Sequence, residues 1–359
     1  MAKPKVRQRM PSVQLSRAEF SERIRQRFAD PAFDAVKGEI DKIVEIAWDG
    51  YDEYRKAPRT RKAGRGYADP DHDLSVDWLK TRAAIQAAEK RQRDPKSKSR
   101  ILIVNGSARS NQTCPGEESK TWRLAKIAER LIARTRGFEV DFLDLSNLTS
   151  EYGRQILPCK ACVSTAMPLC HWPCSCYPNH AMGQVNDWMN EIYPRWSAAH
   201  GVMILTPVNW FQAPSVLKLM IDRLVCADGG NPDPTTTSGK DPEKAKAVEL
   251  NGWHYPKHLA GRTFSVVVHG DIEGVETLRR MLTEWLETMG LIPAGAKSQV
   301  GAYVGYQGSY ATSHDDLDRD KGVQEEVLNA ARALIRAVKM LRRGELKQPD
   351  AGLTDPRPK

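Results

Sequence analysis

The hydrophobic pattern of the chain changes near residue 100. Before this point, a capping-box sequence precedes apolar residues at every fourth position, namely Phe20, Ile24 and Phe28. The same helical spacing predicts further helices over residues 36–47 and 78–93. We therefore expect residues 1–98 to form a helical extension whose apolar faces pack on the main domain or on another subunit.

Beyond residue 98, short apolar runs alternate with helical patterns. The runs of strand length lie at residues 101–105, 138–145, 201–206, 263–269 and 294–304. The segments with helical spacing lie at residues 119–136, 184–198, 215–225, 275–289 and 323–341. Strands that alternate with helices predict an α/β protein with a doubly wound, five-stranded parallel sheet.

Three segments carry neither pattern. Residues 59–73 are rich in Gly, Pro and charged side chains and predict a loop, and residues 228–259 predict a long irregular insertion. Residues 344–359 read as a polar tail. The expected organisation is an extension over 1–98, a main domain over 99–343 and this tail.

Composition narrows the class of protein. The formal net charge is +9, and residues 1–100 hold 24 Lys and Arg against 16 Asp and Glu. Acidic residues interrupt the basic clusters and no nucleic-acid-binding motif accompanies them, which favours solvated helix faces over a nucleic-acid contact. No apolar run approaches the roughly 18–20 residues that a membrane helix needs, and no secretory signal is apparent. We expect a cytoplasmic protein without membrane contact.

The most informative motif follows the first strand of the main domain. The sequence from Ile101 to Thr113 is ILIVNGSARSNQT, in which a buried strand runs into glycine, hydroxyl, arginine and amide side chains. Backbone N–H groups, hydroxyls and the positive end of a following helix can converge on one phosphate. This motif predicts a phosphorylated cofactor at the carboxyl end of a parallel sheet.

Three motifs together resemble the flavodoxin-like NAD(P)H-dependent FMN reductase family, including its quinone-reductase and iron–sulfur flavoprotein branches. They are Gly106-Ser107-Ala108-Arg109, then Thr206-Pro207-Val208-Asn209-Trp210, then Lys218…Asp222-Arg223 on the next helix. The resemblance covers residues 100–343 and implies a flavodoxin-like fold that binds FMN. It implies that the chemistry belongs to the flavin, so no protein side chain is expected to act as acid or base.

The resemblance also implies which residues hold the flavin phosphate. They are Ser107, Arg109, Ser119 and Thr121, with Ser110 and Thr113 as rivals. The rivals arise because the family's helix begins soon after the arginine, whereas Ser119-Lys120-Thr121 fits the helix start better here. Residues 110–118 would then form an inserted loop.

The flavin ring is expected to lie against the loops that follow the third and fourth strands. The implied residues are Pro207, Val208, Asn209, Trp210, Phe211, His269 and Gly270. Trp210 or Phe211 could stack on the ring, although Trp210 could also be a core or interface aromatic. His269 could equally be a hydrogen-bonded residue at the strand end.

Five of the seven cysteines fall between Cys159 and Cys176. Cys159, Cys162, Cys170 and Cys174, with Cys176 as a rival, could hold a [4Fe–4S] cluster, as in the iron–sulfur flavoprotein branch, although that branch has a tighter spacing. Cys170-His171 also allows zinc, and a loop of redox-active thiols without metal is the further alternative.

The leading functional hypothesis is an FMN-dependent NAD(P)H oxidoreductase that passes hydride from the nicotinamide to FMN and electrons to a quinone, flavin or other small acceptor. One alternative is an iron–sulfur flavoprotein that carries electrons. Another is a non-catalytic flavin- or metal-binding regulator. The resemblance implies a homo-oligomer.

Overall fold

The computed structural model describes residues 5–53, 57–114, 116–177, 187–270, 273–304 and 308–346. Within these residues the strands are β1 (Thr60–Lys62), β2 (Asp73–Ser75), β3 (Ser99–Asn105), β4 (Phe138–Asp144), β5 (Gly201–Pro207), β6 (Thr263–Gly270), β7 (Ile292–Pro293) and β8 (Gln299–Tyr303). The α-helices are α1 (Arg17–Arg25), α2 (Lys37–Asp52), α3 (Val76–Arg93), α4 (Lys120–Ala133), α5 (Asn147–Ser150), α6 (Met189–Ala198), α7 (Ser215–Arg223), α8 (Pro242–Leu250), α9 (Val275–Thr288), α10 (Ser313–Arg319) and α11 (Lys321–Arg342).

Strands β3 to β8 form one parallel sheet. Its order is β4–β3–β5–β6, and β7 and β8 follow one another along the remaining edge of β6. With β7 and β8 counted as one interrupted strand, the order is 2-1-3-4-5, which is the flavodoxin-like doubly wound topology. The predicted α/β fold class is therefore confirmed.

The fifth strand differs from its prediction as a single run over residues 294–304. The structure breaks it between β7 and β8, where Gly295 has a φ of +101° and a short 3-10 turn covers residues 296–298. The carbonyl of Ser298 accepts a hydrogen bond from the Ser265 hydroxyl at 2.8 Å. This side-chain hydrogen bond connects the fifth strand to β6 at the point between the β6–β7 and β6–β8 pairings.

Apolar side chains are buried on both faces of the sheet. Ile101 and Ile103 belong to a core cluster with residues of α4 and α11, and both are fully buried. Leu102 and Val104 alternate with them along β3, project to the opposite face and are buried as well. Helices cover both sides, as near-continuous apolar strands predict.

The chain divides into two compact units, and each unit combines three separate stretches of the sequence. The first unit comprises Met1–Arg82, Lys160–Asp187 and Gly229–Tyr255, and the second comprises Ala83–Cys159, Trp188–Asp228 and Pro256–Lys359. The parallel sheet lies in the second unit. The expected boundary between residues 98 and 99 stays a prediction, as does the polar tail, whose residues 347–359 lie outside the described residues.

Two predictions about individual segments were wrong, and one helix was missed. The segment 59–73 is not wholly a loop, because β1 pairs with β2 in an antiparallel hairpin. The insertion 228–259 contains α8, which begins at Pro242 behind Asp241, whose side chain accepts hydrogen bonds from two backbone N–H groups. Helix α10 was not predicted. The expected helix over residues 184–198 is described from Met189, and residues 184–186 lie outside the described residues.

Candidate flavin site

Close backbone packing fixes the loop after β3. The N–H of Gly106 donates to the carbonyl of Leu205 on the neighbouring strand at 2.8 Å. A Cβ atom at this position would lie 3.0 Å from both Thr206 and Leu217. Glycine is therefore the residue that lets the loop turn this close to β5 and α7.

Polar side chains inside the loop hold its shape. The side chain of Asn105 donates to Asp144 at 2.8 Å and accepts from the N–H of Ser107 at 3.3 Å. The buried hydroxyl of Ser107 accepts from the N–H of Arg109 at 3.1 Å. Because this oxygen acts as an acceptor, its own proton stays available to a ligand.

Arg109 carries the positive charge of the loop, and its guanidinium is already engaged. It forms an ion pair with the Glu117 carboxylate at 2.5 Å and donates to the Glu117 carbonyl at 3.2 Å. No sequence motif indicates this contact, because Glu117 lies in the connecting loop as an isolated charge. An anion that binds Arg109 has to compete with this carboxylate.

Helix α4 begins directly after Ser119. This is the second of the two helix starts expected from the sequence. The Ser119 hydroxyl accepts from the N–H of Trp122 at 3.0 Å, so it is an N-cap that retains its own proton as a donor. Ser110 likewise accepts from the N–H of Gln112 at 3.1 Å. Thr113 differs, since its hydroxyl donates to the carbonyl of Ser110.

A cavity of about 190 Å³ lies where this loop meets the start of α4. It is lined by Arg109, Ser110, Asn111, Gln112, Glu118, Ser119, Trp122, Asp144, Ser146, Asn147 and Ser150. We call this the phosphate cavity. Its guanidinium, hydroxyl and amide donors at a helix N-terminus match the chemistry of a phosphate. Both Ser119 and its rival Ser110 line it, whereas Ser107 and Thr121 are not among its lining residues.

Thr121 contacts His269 from the end of β6. The Thr121 hydroxyl and the His269 Nε2 are hydrogen-bonded at 2.7 Å, and both side chains are buried. Burial, with a smaller contribution from the nearby charge of Lys120, lowers the pKa of His269 to about 3. His269 is therefore neutral near pH 7, and the structure matches the hydrogen-bonded alternative for this residue.

The loop after β5 presents two aromatic side chains on a tight turn. Asn209 and Gln212 close the turn with backbone hydrogen bonds of 2.9 and 3.1 Å, and we call residues 209–212 the aromatic turn. Trp210 and Phe211 have φ angles of +51° and +67° and are 84% and 52% exposed. Trp210 is therefore not a core residue. Bulky side chains at positive φ are strained, and such strain clusters at ligand sites.

The loops after β5 and β6 lie side by side. The N–H of Val208, which follows Pro207 at the end of β5, donates to the carbonyl of His269 at 2.8 Å. Gly274 has a φ of +108°, and a Cβ there would lie 3.3 Å from the backbone of Phe211. Gly270 ends β6, and Asp271 lies outside the described residues. The ring-facing residues expected from both loops are thus neighbours.

Four of the clustered cysteines belong to the first unit, and Cys159 belongs to the second. The Sγ atoms of Cys162 and Cys176 are 3.3 Å apart. Among the residues that the structure describes, no group of three or more His, Cys, Asp or Glu side chains is arranged to hold a metal ion. The expected set of Cys159, Cys162, Cys170 and Cys174 therefore stays a prediction.

The zinc alternative with Cys170-His171 stays a prediction, and in the structure His171 has hydrogen-bond partners of its own. His171 is buried, and its two ring nitrogens contact the Ser175 hydroxyl at 2.5 Å and the Thr237 hydroxyl at 3.1 Å. Burial and the positive charge of Lys240 lower its pKa well below the usual range. Both possible ligand atoms of this imidazole are thus used within the protein.

Comparisons with known proteins agree with this geometry. A family model described as NADPH-dependent FMN reductase matches residues 99–302, which is more than half of the chain. An iron–sulfur flavoprotein of Methanosarcina thermophila is 31% identical over 128 residues, which cover 35% of this chain and 52% of that protein. The match thus spans about half the length of this curated relative.

Solved structures also match the chain, at low sequence identity. RosB with bound 8-demethyl-8-formylriboflavin-5'-phosphate is 15% identical, with a TM-score of 0.44, over 69% of this chain and 82% of that chain. An NADH:FMN oxidoreductase in its apo form is 16% identical, with a TM-score of 0.38, over 70% and 92%. These likenesses are too distant to assign an activity. The match of the family model is sufficient to place the protein: the chain belongs to the NADPH-dependent FMN reductase family.

Proposed function

We propose that this flavin-dependent oxidoreductase takes hydride from NADPH or NADH onto FMN and passes electrons to a quinone, a free flavin or another small acceptor. The observation that carries the proposal is the phosphate cavity, which gathers Arg109, Ser110 and Ser119 at the start of α4. Family membership supports an oxidoreductase over the non-catalytic regulator.

The donors of the phosphate cavity fit the phosphate of FMN. Ser110 and Ser119 accept backbone hydrogen bonds and keep their hydroxyl protons for a ligand, while Arg109 supplies charge. The Ser107 hydroxyl accepts a hydrogen bond from the N–H of Arg109 and so stabilises the shape of the loop. Thr121 is committed to His269, so its role is to position the first turn of α4.

The aromatic turn fits the isoalloxazine ring. Trp210 and Phe211 offer exposed aromatic faces that can stack on the ring. The N–H groups of Val208 and Asn209 are used within the protein, by the carbonyls of His269 and Gln212, and they hold the turn in shape. Bound FMN would supply a ring that accepts hydride and releases electrons. The protein's part is to bind and orient the ring and to leave one face open to the nicotinamide.

Steady-state oxidation of NADPH and NADH tests this proposal. We expect oxidation that requires FMN and increases when menadione, ferricyanide or excess FMN is added. Riboflavin, which lacks the phosphate, should support less activity at equal concentration because the phosphate cavity then stays empty. A protein that binds FMN without oxidising either nucleotide would refute the redox role, and failure to bind FMN would refute the whole proposal.

An iron–sulfur flavoprotein that carries electrons is the second candidate. The observation in its favour is the 31% identity to the Methanosarcina thermophila protein. Iron and acid-labile sulfide analysis of anaerobically purified protein distinguishes the two, because only this candidate requires a [4Fe–4S] cluster.

Self-association is a further part of the proposal, because the resemblance implies a homo-oligomer. Light scattering of the intact, FMN-loaded protein measures its mass, and a mass of 40.3 kDa for the particle would contradict an oligomer.

Within the described residues, no helix combines the length and apolar character needed to cross a membrane.

A further inference from the structure

Four cysteines and one lysine of the first unit form a cluster. It consists of Cys162, Cys170, Cys174, Cys176 and Lys240, and we call it the thiol cluster. Lys240 interacts electrostatically with all four cysteines. Its Nζ lies 3.7 Å from the Cys162 Sγ and donates to the carbonyl of Leu169 at 2.8 Å.

We propose that Cys162 and Cys176 form a thiol–disulfide redox couple that exchanges with low-molecular-weight disulfides, with Lys240 as the fixed positive charge beside the reacting sulfur. This inference does not depend on the flavin or on the proposed function.

The separation of the two sulfur atoms favours this pair, and Cys174, whose side chain also hydrogen-bonds with Cys176, is the competing partner. The Sγ atoms of Cys162 and Cys176 are 3.3 Å apart, and a disulfide needs about 2.05 Å. The remaining distance of about 1.3 Å is within the reach of side-chain rotation.

Exposure assigns different roles to the two cysteines. Cys162 is partly exposed, whereas Cys170, Cys174 and Cys176 are buried, at 5%, 7% and 8% exposure. An external disulfide can therefore reach Cys162 first. Cys176 is buried and its Sγ lies 3.3 Å from the Cys162 Sγ, so it is placed to resolve the mixed disulfide.

Lys240 is held in place by the turn that precedes α8. The carbonyl of Gly239 accepts from the Thr237 hydroxyl at 2.9 Å, and Asp241 caps the helix. The Lys240 ammonium is thereby held with its Nζ 3.7 Å from the Cys162 Sγ, which places a positive charge beside the sulfur at which exchange is proposed. The cysteine spacing could not predict that Lys240 lies beside these cysteines, because Lys240 is far from Cys176 in the sequence.

The exchange balances in two steps. The Cys162 thiolate attacks a disulfide RSSR, forming a protein–SR mixed disulfide and releasing one RS⁻, which takes up a proton from water. The Cys176 thiol then gives up its proton and its sulfur attacks the Cys162 Sγ, which forms the intramolecular disulfide and releases the second RS⁻, and this RS⁻ takes up a proton in turn. Two protein thiols are oxidised and one RSSR is reduced to two RSH.

Mass spectrometry with glutathione tests this couple. Reduced protein is equilibrated anaerobically with mixtures of oxidised and reduced glutathione, quenched in acid and labelled with N-ethylmaleimide under denaturing conditions. All seven cysteines should be labelled before oxidation, and two labels should be lost after it, with a peptide that links Cys162 to Cys176. Linkage of another pair, or no loss of two labels at any glutathione ratio, would overturn the inference.

Variants separate the roles of the two cysteines. Cys176→Ser should trap one glutathione on Cys162, and Cys162→Ser should trap none. Cys114→Ser removes an exposed cysteine outside the cluster and should leave the linkage unchanged. Equal glutathione uptake by Cys162→Ser and Cys176→Ser would contradict the assigned roles.

The role of Lys240 is tested by rate. Lys240→Met should slow oxidation by about tenfold, and Lys240→Arg, which retains the charge, should stay near the wild-type rate. Equal rates for Met and Arg would remove Lys240 from the mechanism. If anaerobic protein contains iron and sulfide that are lost in Cys162→Ser, the cysteines are cluster ligands and the redox couple is refuted.

Discussion

If Arg109 binds the FMN phosphate as proposed, Glu117 should weaken FMN binding, because its carboxylate already pairs with the Arg109 guanidinium. The ion pair with Arg109 is 2.5 Å long, and its side chains are 38% and 55% exposed. Exposed pairs contribute roughly 0.2–1 kcal/mol, so Glu117→Gln removes a competitor of about that strength. Since about 1.4 kcal/mol equals a factor of ten, the Kd for FMN should fall by up to about fivefold.

The substitution Arg109→Met removes the other partner of this ion pair, the guanidinium proposed to bind the FMN phosphate. A hydrogen bond to a charged group contributes roughly 1.5–3 kcal/mol, so the Kd for FMN should rise by about 10- to 150-fold. The two substitutions thus move the same Kd in opposite directions. High salt should reduce the effect of Glu117→Gln, because the pair is solvent-exposed.

Titration by quenching of flavin fluorescence measures both effects, and riboflavin is the control ligand. Riboflavin has no phosphate, so its Kd should not change in either variant. Glu284→Gln is the control variant, since it breaks a similar exposed pair with Arg280, at 2.7 Å on α9, and changes net charge equally. If Glu117→Gln weakens FMN binding, or if riboflavin shifts as much as FMN, the assignment of the phosphate cavity is wrong.

The remaining predictions concern the turn, the loop and pH. Trp210→Gly should raise the free energy of unfolding by about 1 kcal/mol by relieving a strained φ, yet weaken FMN and riboflavin equally, by about 2- to 12-fold; urea denaturation and flavin titration measure the two effects. Gly106→Ala should destabilise the protein by about 1–3 kcal/mol, as its Cβ lies 3.0 Å from neighbouring side chains, and a normal melting temperature would contradict this. His269 and His200, with pKa values lowered by burial to about 3 and about 4, are neutral in the folded state, so the unfolded chain binds more protons below pH 6.5. Their stabilisation is therefore complete above pH 6.5 and is lost as the pH falls towards 4; His269→Gln should flatten this dependence in urea titrations between pH 7.5 and 4.5.

The fold was predictable because its signals are local and repeated. Apolar runs such as Ile101 to Val104 can only be buried in a sheet covered on both faces, and the helical patterns between them provide the cover. The break in the fifth strand was not predictable. It depends on a hydrogen bond from Ser265 to Ser298, two residues far apart in the sequence.

The candidate site was predictable in its location and only partly in its contacts. Strand ends place Arg109 and Trp210 at one edge of the sheet, and the motifs indicate that edge. The contact between Thr121 and His269 joins side chains separated by 148 positions, and no local pattern encodes it. Glu117 and Lys240 were missed for the same reason, because an isolated charge gives no signal until the fold brings its partner near.

Anaerobic rapid mixing of the FMN-loaded protein with NADPH tests whether the nicotinamide reduces the flavin. Flavin absorbance at about 450 nm should disappear, at a rate that saturates with NADPH and slows when the transferred hydrogen is replaced by deuterium. Reduction of the same protein by dithionite gives the full absorbance change for comparison. If NADPH and NADH both leave the absorbance unchanged while dithionite removes it, the proposed hydride transfer to FMN is refuted.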